Sequence, residues 1–152
     1  MLTVSNQTQK TGKRPPRVPF SLVADKVLGL KYDLSLVFAN PELARKLNWQ
    51  YRKRRYIPNV LSFPLEKNSG EIFINLEKAD KEKKDFDEDY ATHVLRLFIH
   101  GLLHLKGLTH SSKMESKEKQ LMRLFITPAN GTINHHRNRH RNNLHQGSRL
   151  SS

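Results

Sequence analysis

Apolar residues in this chain come in short runs whose period switches between helical and extended. Residues 2–5 read as a short strand, followed by a basic turn through Lys13, Arg14, Pro15 and Pro16. After Pro19, the positions Phe20, Val23, Ala24, Val27 and Leu28 recur at helical spacing, which predicts a helix ending at Gly29. The unbroken run LSLVF at 34–38 predicts a buried strand. Asn40 with Pro41 then supplies an N-cap and a first helical residue for a helix reaching about Tyr51. Two further apolar runs, 60–63 and 71–76, flank the turn-forming Lys67, Asn68, Ser69 and Gly70, as in a hairpin or a pair of neighbouring strands. With the earlier runs they supply strands for a four-stranded sheet. A nearly all-charged stretch, 78–89, precedes the most apolar segment, 90–106, in which Val94, Leu97, Phe98, Leu102 and Leu105 hold helical spacing. This is the predicted central helix. Gly107 fits its exit, and a shorter amphipathic helix is expected over 113–125.

The pattern ends near Thr127, and the composition changes with it. Residues 127–152 carry Arg137, Arg139, Arg141 and Arg149, no acidic residue, and mostly Asn, His, Gly and Ser, a mixture that cannot bury a core. The expected organisation is one domain, 1–126, followed by a basic His/Arg/Asn-rich disordered tail, 127–152; at 152 residues a second domain is not expected.

Charge narrows the function class. Lys and Arg number 27 against 14 for Asp and Glu, a net charge of +13, which suits a chain that meets phosphates on RNA, DNA or an anionic membrane. The predicted domain keeps 23 basic residues against 14 acidic, so it remains at +9 without the tail. With no cysteine, disulfide frameworks, thiolate metal sites and cysteine nucleophiles are excluded. No apolar run approaches the roughly 18 to 20 residues of a membrane span, and the first residues lack the apolar stretch of a secretory signal, so a cytoplasmic location without membrane contact is expected.

Metal chemistry enters through histidine. His100 and His104 lie four residues apart on the central helix, about 6 Å in rise, close enough for both imidazoles to reach one ion. A half-buried core pair would look the same. The continuation HGLLHLKGLTH adds Gly107, where the backbone can fold back and bring His110 in as a third ligand. Three histidines on zinc leave a position open for water, which ionises near neutral pH and can attack a phosphodiester. Gly101 after the first histidine excludes the general base of the H-E-x-x-H metalloproteases.

The stretch HGLLHLKGLTH resembles the signature of the YbeY family of bacterial rRNA maturation factors and endoribonucleases, usually H-G-x-L-H-L-x-G-[YF]-D-H. LNWQYRKRRYIPNVLSFPL is similar to the family's L-N-x-x-Y-R-x-x-D-x-P-T-D-V-L-S-F-P segment, and GEIFINLEKA to the strand after it. The likeness covers roughly residues 2 to 125. It implies an α+β fold, a four-stranded mixed sheet packed with about four to five helices, with a zinc site at the end of the central helix. His100, His104 and His110 take the ligand roles by motif position. Arg52 falls at the family's arginine beside the site, where a guanidinium could grip a phosphate, and is expected with His104 to be catalytic. Arg52, Lys53, Arg54 and Arg55 form the expected RNA-binding run. Two positions depart from the pattern: Thr109 stands where Asp is usual, and Pro58-Asn59 where Thr-Asp is usual, each replacing a carboxylate with a group that is no base near pH 7.

Other polar residues receive structural readings: Ser62 a strand-end hydroxyl, His93 packing or support on the ligand face, and Lys113, Lys117, Lys119 and Arg123 a solvated helix face. The tail's His135, His136, His140 and His145 are read as part of an arm touching phosphates. The expected function is a zinc-dependent, single-strand-specific endoribonuclease for 16S rRNA maturation and ribosome quality control. Its partners would be rRNA and ribosomal subunits, with no small-molecule cofactor. The alternative is a non-catalytic RNA-binding assembly factor with a structural zinc.

Overall fold

The strands are aligned by long-range pairing and the helices by capping. The computed structural model describes residues 1–9, 12–126 and Ile133. Strand β1 (Leu2–Gln7) pairs parallel with β2 (Asp33–Ala39), placing Leu2 opposite Leu34, and β2 pairs parallel with β4 (Ser69–Asn75). Strand β3 (Val60–Glu66) returns antiparallel to β4 across the Lys67–Asn68 turn, giving the order β1-β2-β4-β3. The expected four-stranded mixed sheet with flanking helices is therefore present.

Helix α1 (Phe20–Leu28) follows Pro19, and α2 (Pro41–Arg52) is capped by Asn40, whose side chain accepts from the Leu43 amide at 2.8 Å. A helix not predicted from sequence, α3 (Leu76–Glu82), starts where the last strand was expected to end and runs into a 3-10 turn, Lys83–Phe86. Asn75 caps it, accepting from the Lys78 amide at 3.2 Å, and only Leu76 and Ala79 are buried. Two anchors are too few for a legible period. The charged stretch is thus largely structured. Helix α4 (Tyr90–Leu105) is capped by Asp89, and α5 (Ser112–Phe125) by Ser111.

Alternation divides the sheet into two faces. Leu34, Leu36, Phe38, Ile72 and Ile74 point into the main core with α1 and α4, where Phe20 packs edge-on against Phe98 at 5.0 Å. Val37, Phe73 and Leu61, one register position away, face the other side, where α2 contacts β2, β3 and β4. Helix α4 consequently runs across the sheet with one flank buried against β3 and β4. Ile133 forms an isolated antiparallel bridge with Ile126 and packs against the core. The tail otherwise lies outside the described residues, as do its histidines. No described helix is long and apolar enough to cross a membrane.

Candidate functional site

The site is assembled by the end of α4 and the turn that follows. Buried Leu97, Phe98, Ile99, Leu102 and Leu103 fix the helix's rotation, which leaves His100 and His104 half-buried on the flank toward β3. Gly101 makes the approach possible: a Cβ there would sit 2.9 Å from Ser62 Oγ and 3.1 Å from Ile72 Cδ1. The Ser62 hydroxyl donates to the Gly101 carbonyl at 3.0 Å, so its role is to hold helix to strand. A glutamate at 101 would have no room. The helix closes in a Schellman turn, with Gly107 at φ 101°, its amide on the His104 carbonyl, and the Leu108 amide on the Leu103 carbonyl, both at 3.0 Å. The same turn brings the Leu108 carbonyl to accept from His104 Nδ1 at 3.1 Å and delivers His110. The ring centroids of His110 lie 5.1 Å from His100 and 4.8 Å from His104.

One ligand atom from each of the three imidazoles lies within 4.8 Å of the other two, so the group could hold a metal ion. The donor set fits zinc. His100 Nε2 and His104 Nε2 are 3.1 Å apart, and two nitrogens each about 2.0 to 2.1 Å from one tetrahedral zinc would be about 3.3 Å apart. The outward nitrogens are also supported: His104 Nδ1 by the Leu108 carbonyl, and His100 Nδ1 by Glu118 Oε1 of α5 at 3.5 Å. Burial first, then the neighbouring His100 and His110, and more weakly Arg52, push His104 below the ordinary imidazole value against the contrary pull of the Leu108 carbonyl. The neutral form, which can bind a metal, is favoured.

A cavity of about 590 Å³ opens over the cluster, lined by Arg52, Tyr56, Asn59, Val60, Ser62, His100, His104 and His110. Arg52, the last residue of α2, joins the histidines. Lys53 and Arg55 lie instead over the Trp49 ring, at 5.6 and 4.8 Å, and neither they nor Arg54 line the cavity. No carboxylate lines it among the described residues. Asn59, on the cavity wall, is tied to Glu82, with Nδ2 donating to Oε1 at 3.1 Å, and Thr109 is exposed and outside the lining. His93 belongs elsewhere. It is fully buried, with Nδ1 2.8 Å from Glu88 and Nε2 3.2 Å from Glu82. A larger cleft of about 720 Å³, between the 3-10 turn, α4 and α5, contains no histidine among its described lining residues.

Sequence reasoning missed three supporting residues. Glu118 was readable as a charge inside the apolar stripe of α5, four after Met114 and three before Leu121, both buried. Asn48, fully buried, holds the loop after α2 by donating to the Tyr56 carbonyl at 2.8 Å and accepting the Arg54 amide at 3.2 Å on its own carbonyl. Glu82, which fixes Asn59, had no local signal.

A profile of the family described as Endoribonuclease YbeY matches residues 16–125. A Phytoplasma mali protein described as Endoribonuclease YbeY is 40% identical over 91 residues, covering 58% of this chain and 62% of that protein. A Mesoplasma florum protein of the same description is 35% identical over 100 residues, 59% of each chain. The match thus spans about three fifths of the length of these relatives. Among solved structures, a solution structure of a Thermotoga maritima protein superposes with a TM-score of 0.55 at 22% identity, covering 80% of this chain and 87% of that one, which shows the shared fold.

Proposed function

The chain belongs to the YbeY family, and on that premise we propose that it is a metal-dependent endoribonuclease that cleaves single-stranded segments of ribosomal RNA in the cytoplasm, during 16S rRNA maturation and ribosome quality control. The observation that carries this reading is the convergence of three imidazoles and one guanidinium on a single cavity in a strongly basic chain. His100, His104 and His110 would hold the ion, with zinc the expected occupant. When bound, zinc supplies a Lewis acid and lowers the pKa of water.

The chain's own residues do the rest. Arg52 faces the same cavity with a guanidinium that can take two phosphate oxygens and stabilise the added negative charge of the transition state. The Leu108 carbonyl and the Glu118 carboxylate hold His104 and His100 in orientation. The basic run Lys53, Arg54 and Arg55 on the adjoining loop attracts the strand by counterion release.

A second reading has a specific observation in its favour. With no carboxylate among the described lining residues, the cavity lacks an evident protein base, as in an RNA-binding assembly factor with a structural metal. Single-turnover cleavage of a single-stranded rRNA fragment separates the two. The nuclease predicts cleavage that His104→Ala abolishes and that Arg52→Ala slows by about 2 to 4 kcal/mol of barrier while metal content stays unchanged. Equal RNA binding with no cleavage above the His104→Ala background would leave the assembly factor.

A further inference from the structure

Tyr56 has no part in the reading above, yet it forms part of the cavity wall beside Arg52 and is 54% exposed. Three aromatic side chains stand exposed in this region, and two are engaged. Trp49 is covered by Lys53 and Arg55. Tyr51 packs on Phe63 with centroids 5.5 Å apart. The Tyr56 ring stacks on no aromatic side chain and lies under no cation among the described residues. Its backbone, in contrast, is held: the carbonyl accepts from the buried Asn48 at 2.8 Å, on the loop that Asn48 also fixes through Arg54. An unused π face on a fixed backbone, beside a guanidinium and within one cavity, matches the two halves of a nucleotide, a planar base and a phosphate. The cavity's roughly 590 Å³ is within the usual range for small-ligand sites.

We propose that Tyr56 is a stacking platform for one unpaired nucleobase next to the phosphate at Arg52. The cavity then reads a strand by its free bases as well as its charge, and a duplex, whose bases are already stacked, gains nothing from Tyr56. This inference rests on the reading of the cavity as an RNA site, and its test keeps the two separable.

Full-length protein is titrated by fluorescence anisotropy into a labelled short oligouridine and into an abasic ribose-phosphate strand of equal length. Wild type is expected to favour the oligouridine by about tenfold. Tyr56→Phe should keep that preference, and Tyr56→Leu should abolish it while leaving affinity for the abasic strand unchanged. Because the side chain is largely exposed, the thermal midpoint should not move. Equal affinity of wild type for both strands, or an equal loss on both strands in Tyr56→Leu, overturns the stacking role alone. Binding of neither strand overturns the RNA reading and the platform with it.

Discussion

Helix α4 carries histidines in two environments that share one face and have opposite chemistry. His93, near its start, is fully buried with a carboxylate on each nitrogen, Glu88 at 2.8 Å and Glu82 at 3.2 Å, and Glu88 is itself gripped by Arg96 at 2.9 and 3.0 Å. Burial alone would depress His93, but the hydrogen bonds and charges of Glu88 and Glu82 raise it above the ordinary imidazole range. His104, at the other end, meets two more imidazoles and is depressed. A histidine between carboxylates is pulled toward its protonated form; a histidine among imidazoles is pushed toward the neutral form, the one that can bind a metal. The partners decide, not the spacing along the helix.

The largest expected effect is on the buried end. His93→Ala leaves Glu88 and Glu82 without their shared buried partner and should lower unfolding free energy in urea by about 3 to 5 kcal/mol, with metal per folded chain unchanged. His104→Ala should do the reverse, removing the metal while barely moving the unfolding midpoint of the metal-free protein. Metal content of untagged protein that stays near one ion per chain in His104→Ala would break the comparison.

Glu118→Gln probes the support of the ligand end. Its neutral amide should weaken metal affinity by about 10- to 100-fold, read by competition with a chelator, without changing stability of the metal-free chain. No change would show that the 3.5 Å contact with His100 does not orient the ring.

A smaller effect concerns pH. His93 holds its proton more tightly when folded, so its contribution is fully present below the ordinary value of about 6.5 and fades as pH rises through its raised folded value. For Glu88, burial alone would raise the pKa, but hydrogen bonds from His93 and Arg96 lower it. Its contribution is present above the ordinary glutamate value of about 4.3 and lost as pH falls through the lowered one. Urea midpoints measured against pH should decline on both sides, and His93→Gln should flatten the alkaline arm.

The smallest effect is expected at Thr109. Its exposed position outside the cavity lining predicts that Thr109→Asp changes stability by no more than about 0.5 kcal/mol and leaves metal affinity unchanged. A clear gain in either metal binding or cleavage would place this residue in the site.

Much was legible from local pattern, because burial of an amphipathic face writes its own period into the chain. Helices α1, α2, α4 and α5 carry caps or apolar spacing that survive any tertiary arrangement, and the H-x-x-x-H spacing with Gly107 marks the candidate ligand turn. Helix α3 escaped because two buried residues within a charged run set no period. What the chain pattern could not contain is which distant segments meet. The order β1-β2-β4-β3, Gly101 against Ser62, Glu118 at His100 and Asn59 turned to Glu82 all join residues with long sequence separation. Sequence spacing decides which side chains share a helix face; only tertiary packing decides what that face meets, and the charge state of each histidine follows from what it meets.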